Sequence, residues 1–140
     1  MSRVFWDTNL FIYLFEDYGM LSKAVGQLRS KMLDRGDQLL TSTLTLGEIL
    51  VKPTERGDSD LCRKYEHAIS TASTLISFDG KAAKTYAALR SQRSLKAPDA
   101  IQLACAASAN VDLFVTNDER LQSRRVEGIQ FIVPLDRVPI

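Results

Sequence analysis

Short apolar segments rich in β-branched and aromatic residues alternate with helix-like segments along the chain. The five strand-like segments are Arg3–Trp6, Gln38–Thr41, Thr74–Phe78, Asp112–Thr116 and Gln130–Val133. They are brief and show no polar alternation, which is typical of parallel strands that are covered on both faces. The pattern therefore predicts an α/β fold with a mostly parallel central sheet of about five strands flanked by helices.

The segments between these strands have helical patterns. They are Thr8–Glu16, Ser22–Arg35, Thr45–Lys52, Ser59–Ser73, Gly80–Ser91 and Pro98–Asn110. Ser22 is suited to cap the second helix, and Pro53 predicts the end of the third. Pro98 suits a first helical turn, where Asp99 lies beside the positive end of the helix dipole. The polar stretch that begins at Pro53 is interpreted as a loop, so residues 1–140 are expected to form one domain.

The length and the composition of the chain agree with a globular protein that does not cross a membrane. A length of 140 residues is enough for one core, and 45% apolar with 25% charged residues is ordinary. No apolar run approaches the ~18 residues that span a bilayer. Cys62 and Cys105 are too few for a disulfide framework, and no signal-peptide pattern is present. We therefore expect reduced thiols and a cytoplasmic location.

Four acidic residues lie at positions from which a parallel sheet could bring them together. Asp7 follows the first strand, Asp118 follows the fourth, and Asp99 begins the alanine-rich last helix. Glu48 lies in the third helix among apolar neighbours. Open parallel sheets bind ligands at the carboxyl ends of their strands, so neighbouring first and fourth strands would place two of these acids over one crevice. Clustered carboxylates repel one another, and such a site would require a hard cation or a bound proton.

Each acid taken alone also has a purely structural explanation. Asp7 could cap the first helix, and Asp118 could be a turn residue. Asp99 could act only on the helix dipole. Singly, these explanations are the better ones, but together they require a coincidence at each of four positions.

In this order and at these intervals, the acidic segments resemble those of the PIN domain, the nuclease fold of the toxins in VapBC-type toxin–antitoxin pairs. The matching segments are Val4-Phe5-Trp6-Asp7-Thr8-Asn9, Thr45-Leu46-Gly47-Glu48-Ile49, Asp99-Ala100-Ile101-Gln102-Leu103-Ala104 and Phe114-Val115-Thr116-Asn117-Asp118. The resemblance covers nearly the whole chain. Many relatives carry a further acid two residues after the last of these segments, where this chain has Arg120. Glu119 could substitute for that acid or could point away from the site. This departure concerns a second metal-ligand set and not the four acids.

The resemblance implies metal-dependent hydrolysis of RNA phosphodiester bonds, with Mg²⁺ or Mn²⁺ as the cofactor. The implied catalytic and metal-binding residues are Asp7, Glu48, Asp99 and Asp118. The residue types independently suit this chemistry, because an ion held by few carboxylates keeps waters and can bind phosphate oxygens. Asn9 and Thr116 are candidates for holding the carboxylates or waters in place, or are simply helix-start and turn residues.

Basic residues close to the acids in sequence are candidates for contacting the RNA backbone. They are Arg90, Arg93 and Lys96 before the third acid and Arg120, Arg124 and Arg125 after the fourth, of which Arg90, Arg93, Lys96 and Arg120 are the leading candidates. If they flank the acidic pocket, they would attract phosphates, although each could equally belong to a solvated surface. The net charge of +1 is not that of a dedicated nucleic-acid binder, so only a local basic patch could serve this role.

The resemblance also implies a cognate antitoxin and a homodimer. Some apolar residues of the first two helices could form those surfaces or could all belong to the core: Phe11, Tyr13, Phe15, Tyr18, Met20, Leu21, Val25 and Leu28.

Two other functions stay open at this point. A PIN-like module could bind RNA or a protein without cleavage, although the presence of all four acids argues against it. A phosphatase of the haloacid dehalogenase type would use Asp7 as nucleophile, but that family has Asp-x-Asp at the first strand end, and Asn9 stands at the second position here.

Overall fold

The computed structural model describes residues 1–92 and 94–140. Its strands are β1 (Arg3–Trp6), β2 (Gln38–Ser42), β3 (Thr74–Ile76), β4 (Val111–Val115) and β5 (Ile129–Val133). All neighbouring pairs are parallel, and the strand order is β3-β2-β1-β4-β5. The predicted α/β fold with a parallel sheet of five strands is confirmed.

Helices occupy every connection between the strands. They are α1 (Thr8–Phe15), α2 (Met20–Arg35), α3 (Thr43–Glu55), α4 (Ser59–Ala72), α5 (Gly80–Arg90), α6 (Ala97–Ser108) and α7 (Glu119–Gln122), and a 3₁₀ helix (Leu135–Arg137) follows β5. The six predicted helices are all present, with ends displaced by at most three residues. Helix α7 was not predicted, because four residues are too short for a helical period to appear in the sequence.

The sheet separates two hydrophobic cores. In β1, Val4 and Trp6 face the core that α1, α2, α3 and α4 cover, whereas Phe5 faces the core under α5 and α6. The ring of Phe5 stacks on that of Phe114 in β4, with centroids 5.1 Å apart. Because both faces of the sheet are covered, consecutive residues of its two central strands are apolar and buried, Val4 to Trp6 in β1 and Leu113 to Val115 in β4.

Small side chains bring α6 close to the sheet. Ala100, Ala104 and Ala106 are fully buried. Near the end of this helix, the carbonyl oxygen of Ala107 would lie 2.5 Å from a Cβ atom at Gly128, whose φ is +97°. A glycine is therefore required where the chain enters β5.

Two predicted helix boundaries were wrong. Pro53 lies inside α3, and not after it, because near the end of a helix a missing N–H removes only one backbone hydrogen bond. The polar stretch that follows is therefore only partly a loop. Ser22 is not the cap of α2, since Gly19 occupies that position. The Ser22 hydroxyl instead donates to the carbonyl of Glu16 at 2.8 Å and ties the preceding loop to the helix.

Within residues 1–92 and 94–140, no helix has both the length and the apolar character needed to cross a bilayer. Cys62 and Cys105 are free thiols.

Candidate functional site

The strand order reverses between β1 and β4, which lie side by side at the centre of the sheet. Trp6 pairs with Val115, and the amide of Asp7 donates to the Val115 carbonyl at 3.1 Å. Asp7 and Asp118 therefore leave neighbouring strands at the same edge, as predicted if the first and fourth strands were adjacent. In open α/β sheets, a ligand crevice forms at this switch point.

A cavity of about 300 Å³ at this crevice is lined by all four predicted acids. Its lining consists of Asp7, Thr8, Asn9, Ile12, Glu48, Pro98, Asp99, Gln102 and Asp118. Asp99 reaches the cavity because α6 begins at the carboxyl edge of the sheet, so that its first turn faces the ends of β1 and β4. The structure thus brings together four acids that are distant in sequence.

Asp7 ends β1, caps α1 and is held by two donors. Its Oδ1 accepts from the Thr8 amide and its Oδ2 from the Thr116 hydroxyl, both at 2.8 Å. Thr116 is fully buried and also accepts from the amide of Asp118 at 3.1 Å, so one hydroxyl links two of the acids. Burial raises the pKa of Asp7 despite these hydrogen bonds, and the charges of Asp99 and Glu48 raise it further.

Glu48 is exposed on α3 but is tied to a buried polar network. Its Oε1 accepts from the hydroxyl of Thr8 at 2.7 Å. The side-chain amide of Gln102 donates to Thr8 at 2.9 Å and to Thr45 at 2.8 Å, and its carbonyl oxygen accepts from the hydroxyl of Ser42. The network fixes α1, α3 and α6 against one another below the acids. Sequence reasoning missed it, although a single glutamine in an alanine-rich helix was a usable signal.

Asp118 and Asp99 are both approached by one arginine. Asp118 caps α7, and its two oxygens accept from Arg120 Nε at 3.0 Å and Arg120 Nη2 at 2.7 Å. These hydrogen bonds hold the pKa of Asp118 below its usual value. Arg120 Nη2 also lies 3.8 Å from Asp99 Oδ2, yet burial and the nearby charge of Asp118 still raise the pKa of Asp99.

The residues predicted to contact RNA are placed differently from one another. Arg120 touches the acids, and Lys96, at the start of α6, is exposed and close enough for its charge to act on two of them. Arg90 is exposed in the last turn of α5, and Arg93 lies outside the described residues. Glu119 lines a different cavity and does not substitute for a further acid at this site.

The donor chemistry of the cavity fits a hard divalent cation. Its ionisable lining groups in the described chain are carboxylates, which are the ligands that Mg²⁺ and Mn²⁺ prefer. Within residues 1–92 and 94–140, however, no three acids are already grouped closely enough to hold one ion. Ligation by three carboxylates therefore requires side-chain rotation from this arrangement.

The chain matches the PIN domain family over residues 4–127 and belongs to that family. Its fold is similar to that of a toxin–antitoxin complex from Klebsiella pneumoniae, at 24% identity over 91% of this chain and 95% of that chain, with a TM-score of 0.66. It is also similar to VapBC2 from Rickettsia felis bound to a promoter DNA fragment, at 15% identity over 94% of this chain and 97% of that chain, with a TM-score of 0.74. For DNA-bound VapBC from Salmonella typhimurium the identity is 18% over 96% of this chain and 99% of that chain, with a TM-score of 0.73. A comparison with curated proteins gave no match.

Proposed function

We propose that this chain is a divalent-metal-dependent ribonuclease and the toxin of a type II toxin–antitoxin pair. The observation that carries the proposal is the convergence of four acids on one cavity at the switch point of a PIN-family sheet. The toxin role is supported by the similarity to solved toxin–antitoxin complexes. In the same proposal the protein acts in the cytoplasm as a homodimer.

The chemistry is assigned to the carboxylates of the cavity. When bound there, Mg²⁺ or Mn²⁺ would activate a water for attack on a phosphodiester and stabilise the charge that develops on the phosphate oxygens. Asp7 and Asp99 are the proposed direct ligands, because burial and neighbouring carboxylates disfavour their anions in the absence of a cation. Asp118 and Glu48 are proposed to ligate or to orient water. Thr116 keeps the carboxylate of Asp7 turned toward the cavity.

The RNA backbone is proposed to follow the basic side chains around the cavity. Arg120 pairs with two of the acids, and Lys96 is close enough for its charge to act on the same two. Arg90 is given the same role from its position in the last turn of α5. Arg93 is given the same role from its position in sequence. These residues would attract phosphates to a pocket whose own charge repels them.

An apolar groove beside the acids is the proposed site of the antitoxin. The groove has a volume of about 280 Å³ and lies between α1, α3 and α4, with Glu48 in its wall. Its apolar lining consists of Ile12, Phe15, Ile49, Val51, Pro53, Leu61 and Tyr65. An amphipathic segment that lays its apolar face in such a groove would also cover the acidic cavity, which offers a direct route to inhibition.

Cleavage of RNA by the purified chain tests the proposal. We expect cleavage with Mg²⁺ or Mn²⁺, none after EDTA, and a loss on the order of 100-fold in Asp7→Asn and Asp99→Asn with the circular dichroism spectrum retained. Asp60→Asn is the matched control, because Asp60 is an exposed acid of α4 that does not line the cavity, and its variant should cleave normally. Metal-independent cleavage, or full activity in both site variants, would refute the assignment.

The second candidate is a PIN-like module that binds RNA or a protein without cleaving it. One observation favours it, namely that no three acids of the described chain are already grouped around an ion position. In the same experiment, such a module would shift RNA in a gel but leave it intact at every metal concentration.

A further inference from the structure

Arg120 is the one cationic residue of the described chain within ion-pair distance of the cavity's acids. Its guanidinium donates to both oxygens of Asp118, and Nη2 lies 3.8 Å from Asp99 Oδ2. The backbone amide of Arg120 also donates to Asp118 Oδ1 at 3.0 Å. A positive group of the chain thus already bridges two of the four acids.

We propose that Arg120 is a built-in competitor of the divalent cation, which holds Asp118 and screens Asp99 and thereby lowers the affinity of the cavity for a metal ion. The inference rests on the proposed function, because it presumes that the cavity binds such an ion. It deepens that proposal by naming a residue of the chain that regulates how readily the site is loaded.

The geometry supports competition because Arg120 uses the same oxygens that an ion would use. A forked guanidinium that engages both oxygens of a carboxylate fixes its orientation. Asp118 can therefore join Asp7 and Asp99 around one ion only after it turns away from Arg120. The competitor role agrees with acids that line one cavity although, in the described chain, no three of them are grouped for ligation.

Two further observations indicate that Arg120 can be displaced. Its side chain is 63% exposed, and an ion pair so open to water is weak enough to be exchanged. Among the described residues, Arg120 also pairs with Asp118 and Asp99 and not with Asp7 or Glu48, the other two acids of the cavity. A divalent ion carries twice the charge of the guanidinium and would interact more strongly with the same carboxylates.

The size of the effect follows from Coulomb repulsion. One unit charge at about 5–6 Å from a divalent ion, in surroundings close to the dielectric constant of water, weakens binding of that ion roughly tenfold. The same arithmetic predicts little effect from a positive charge several times farther away.

Calorimetric titration of the full-length, metal-stripped chain with Mn²⁺ tests the inference without any measurement of cleavage. We expect Arg120→Gln to bind Mn²⁺ roughly tenfold more tightly than the unaltered chain. Arg120→Lys keeps the charge and should stay within about threefold of it. The control is Arg125→Gln, an exposed arginine that lines a separate cavity, and its affinity should change by no more than about twofold.

The outcomes separate this inference from the proposed function. Equal or weaker Mn²⁺ binding by Arg120→Gln, with measurable binding by the unaltered chain, overturns the competitor role and leaves the metal-dependent function standing. A comparable gain in Mn²⁺ affinity in Arg125→Gln also overturns the competitor role. The gain would then come from the lower net charge of the chain and not from the position of Arg120. If neither the unaltered chain nor Arg120→Gln binds Mn²⁺ while both melt cooperatively, the proposed function fails together with the inference.

Discussion

Asp7 and Asp118 follow neighbouring strands, yet their surroundings shift the pKa values of the two carboxyl groups in opposite directions. Burial raises the pKa of Asp7, and the acids Asp99 and Glu48 add repulsion. Hydrogen bonds from Arg120 lower the pKa of Asp118. In the absence of metal, removal of the charge should therefore change the free energy of unfolding in opposite directions at the two positions.

Asp7→Asn is expected to stabilise the metal-free protein at pH 7. Because the folded pKa lies above the unfolded one, the native state of the unaltered chain loses stability as the pH rises through the window between them. The neutral asparagine avoids this loss and can still accept from the Thr8 amide. Thermal unfolding in EDTA should show a melting temperature higher by on the order of a few °C at pH 7, and the difference should vanish below about pH 4.

Asp118→Asn removes a carboxylate charge in the same way, but its melting temperature is expected to change in the opposite direction. Its lowered folded pKa gives the native state stability that is present above the usual carboxyl pKa and is lost as the pH falls through the folded value. We expect a slightly lower melting temperature at pH 7, since the partner is exposed, and convergence with the unaltered chain in acid. A rise in both variants would contradict the assigned electrostatics.

The four acids of the cavity and Thr116, whose hydroxyl holds Asp7, were predicted from sequence, whereas the buried network around Gln102 was not. Asp7 and Asp118 follow strands and Asp99 lies in a first helical turn, and parallel topology brings such positions to one edge. Glu48 reaches the same cavity from the middle of α3. Gln102 reaches Thr8 and Thr45 only because α1, α3 and α6 meet at hydrogen-bonding distance. No local pattern specifies the distance between three helices.

Gln102→Ala tests how much this buried network contributes. The substitution leaves the hydroxyls of Thr8, Thr45 and Ser42 without the amide partner and opens a cavity, so we expect a loss of about 1–3 kcal/mol in the free energy of unfolding. Urea titration followed by circular dichroism measures it. Gln130→Ala on the exposed side of β5 is the control and should change stability by less than about 0.5 kcal/mol. Equal effects would show that the network is not a stabilising unit.

At the scale of elements, the periodicity of the sequence predicted the strands and the six longer helices, and it failed at some helix ends and at the four-residue helix α7. Pro53 was taken as a stop signal, but α3 continues past it because Arg56 closes the last turn onto the Lys52 carbonyl at 3.1 Å. Helix α7 depends on the side chain of Asp118 as its cap. Both outcomes are decided by single hydrogen bonds that propensity does not register.

The contact between α6 and the start of β5 leads to a prediction about Gly128. Gly128→Ala would place a methyl group 2.5 Å from the Ala107 carbonyl oxygen and force alanine to a φ of +97°. We expect a loss of roughly 2–5 kcal/mol in the free energy of unfolding, measured by urea titration.

Gly57→Ala separates backbone strain from the steric clash at Gly128. Gly57 also has a positive φ, +67°, but a Cβ atom there meets nothing within 4 Å. This variant should lose only about 1 kcal/mol, the cost of left-handed backbone. If Gly128→Ala and Gly57→Ala were equally stable, α6 would have to shift at Ala107 to make room for the methyl group. The close approach of Gly128 to Ala107 would then not require a glycine.

For the whole molecule, alternation of segments predicted the layers and the parallel sheet but not the strand order. Order depends on which strands pair, as β1 with β4 and β2 with β3 do here, where Phe5 lies opposite Phe114 and Leu40 lies opposite Thr74. Local composition carries no information about such pairs. The sequence analysis therefore gave the adjacency of the first and fourth strands only as a condition, and the structure meets it.

The same resemblance predicts a homodimer, and the structure narrows its candidate surface. Phe11, Val25 and Leu28 are core residues, whereas Tyr18, Met20 and Leu21 are exposed. Met20 is 87% exposed and lines a cavity of about 500 Å³ with Leu21, Leu135 and others. Exposed apolar residues that are contiguous in this way are typical of an interaction surface.

Met20→Glu should therefore weaken self-association without unfolding the chain. We expect the unaltered protein to have about twice the mass of the 15.6 kDa chain by size-exclusion chromatography with light scattering. The dimer of the variant should dissociate at protein concentrations at least roughly tenfold higher than those at which the unaltered dimer dissociates. The reason is that the glutamate charge would be buried in the interface without a partner. Leu33→Glu is the matched control, since Leu33 lies on the same helix, is 62% exposed and does not line that cavity. A monomeric unaltered chain, or equal dissociation of the two variants, would remove this surface from the dimer.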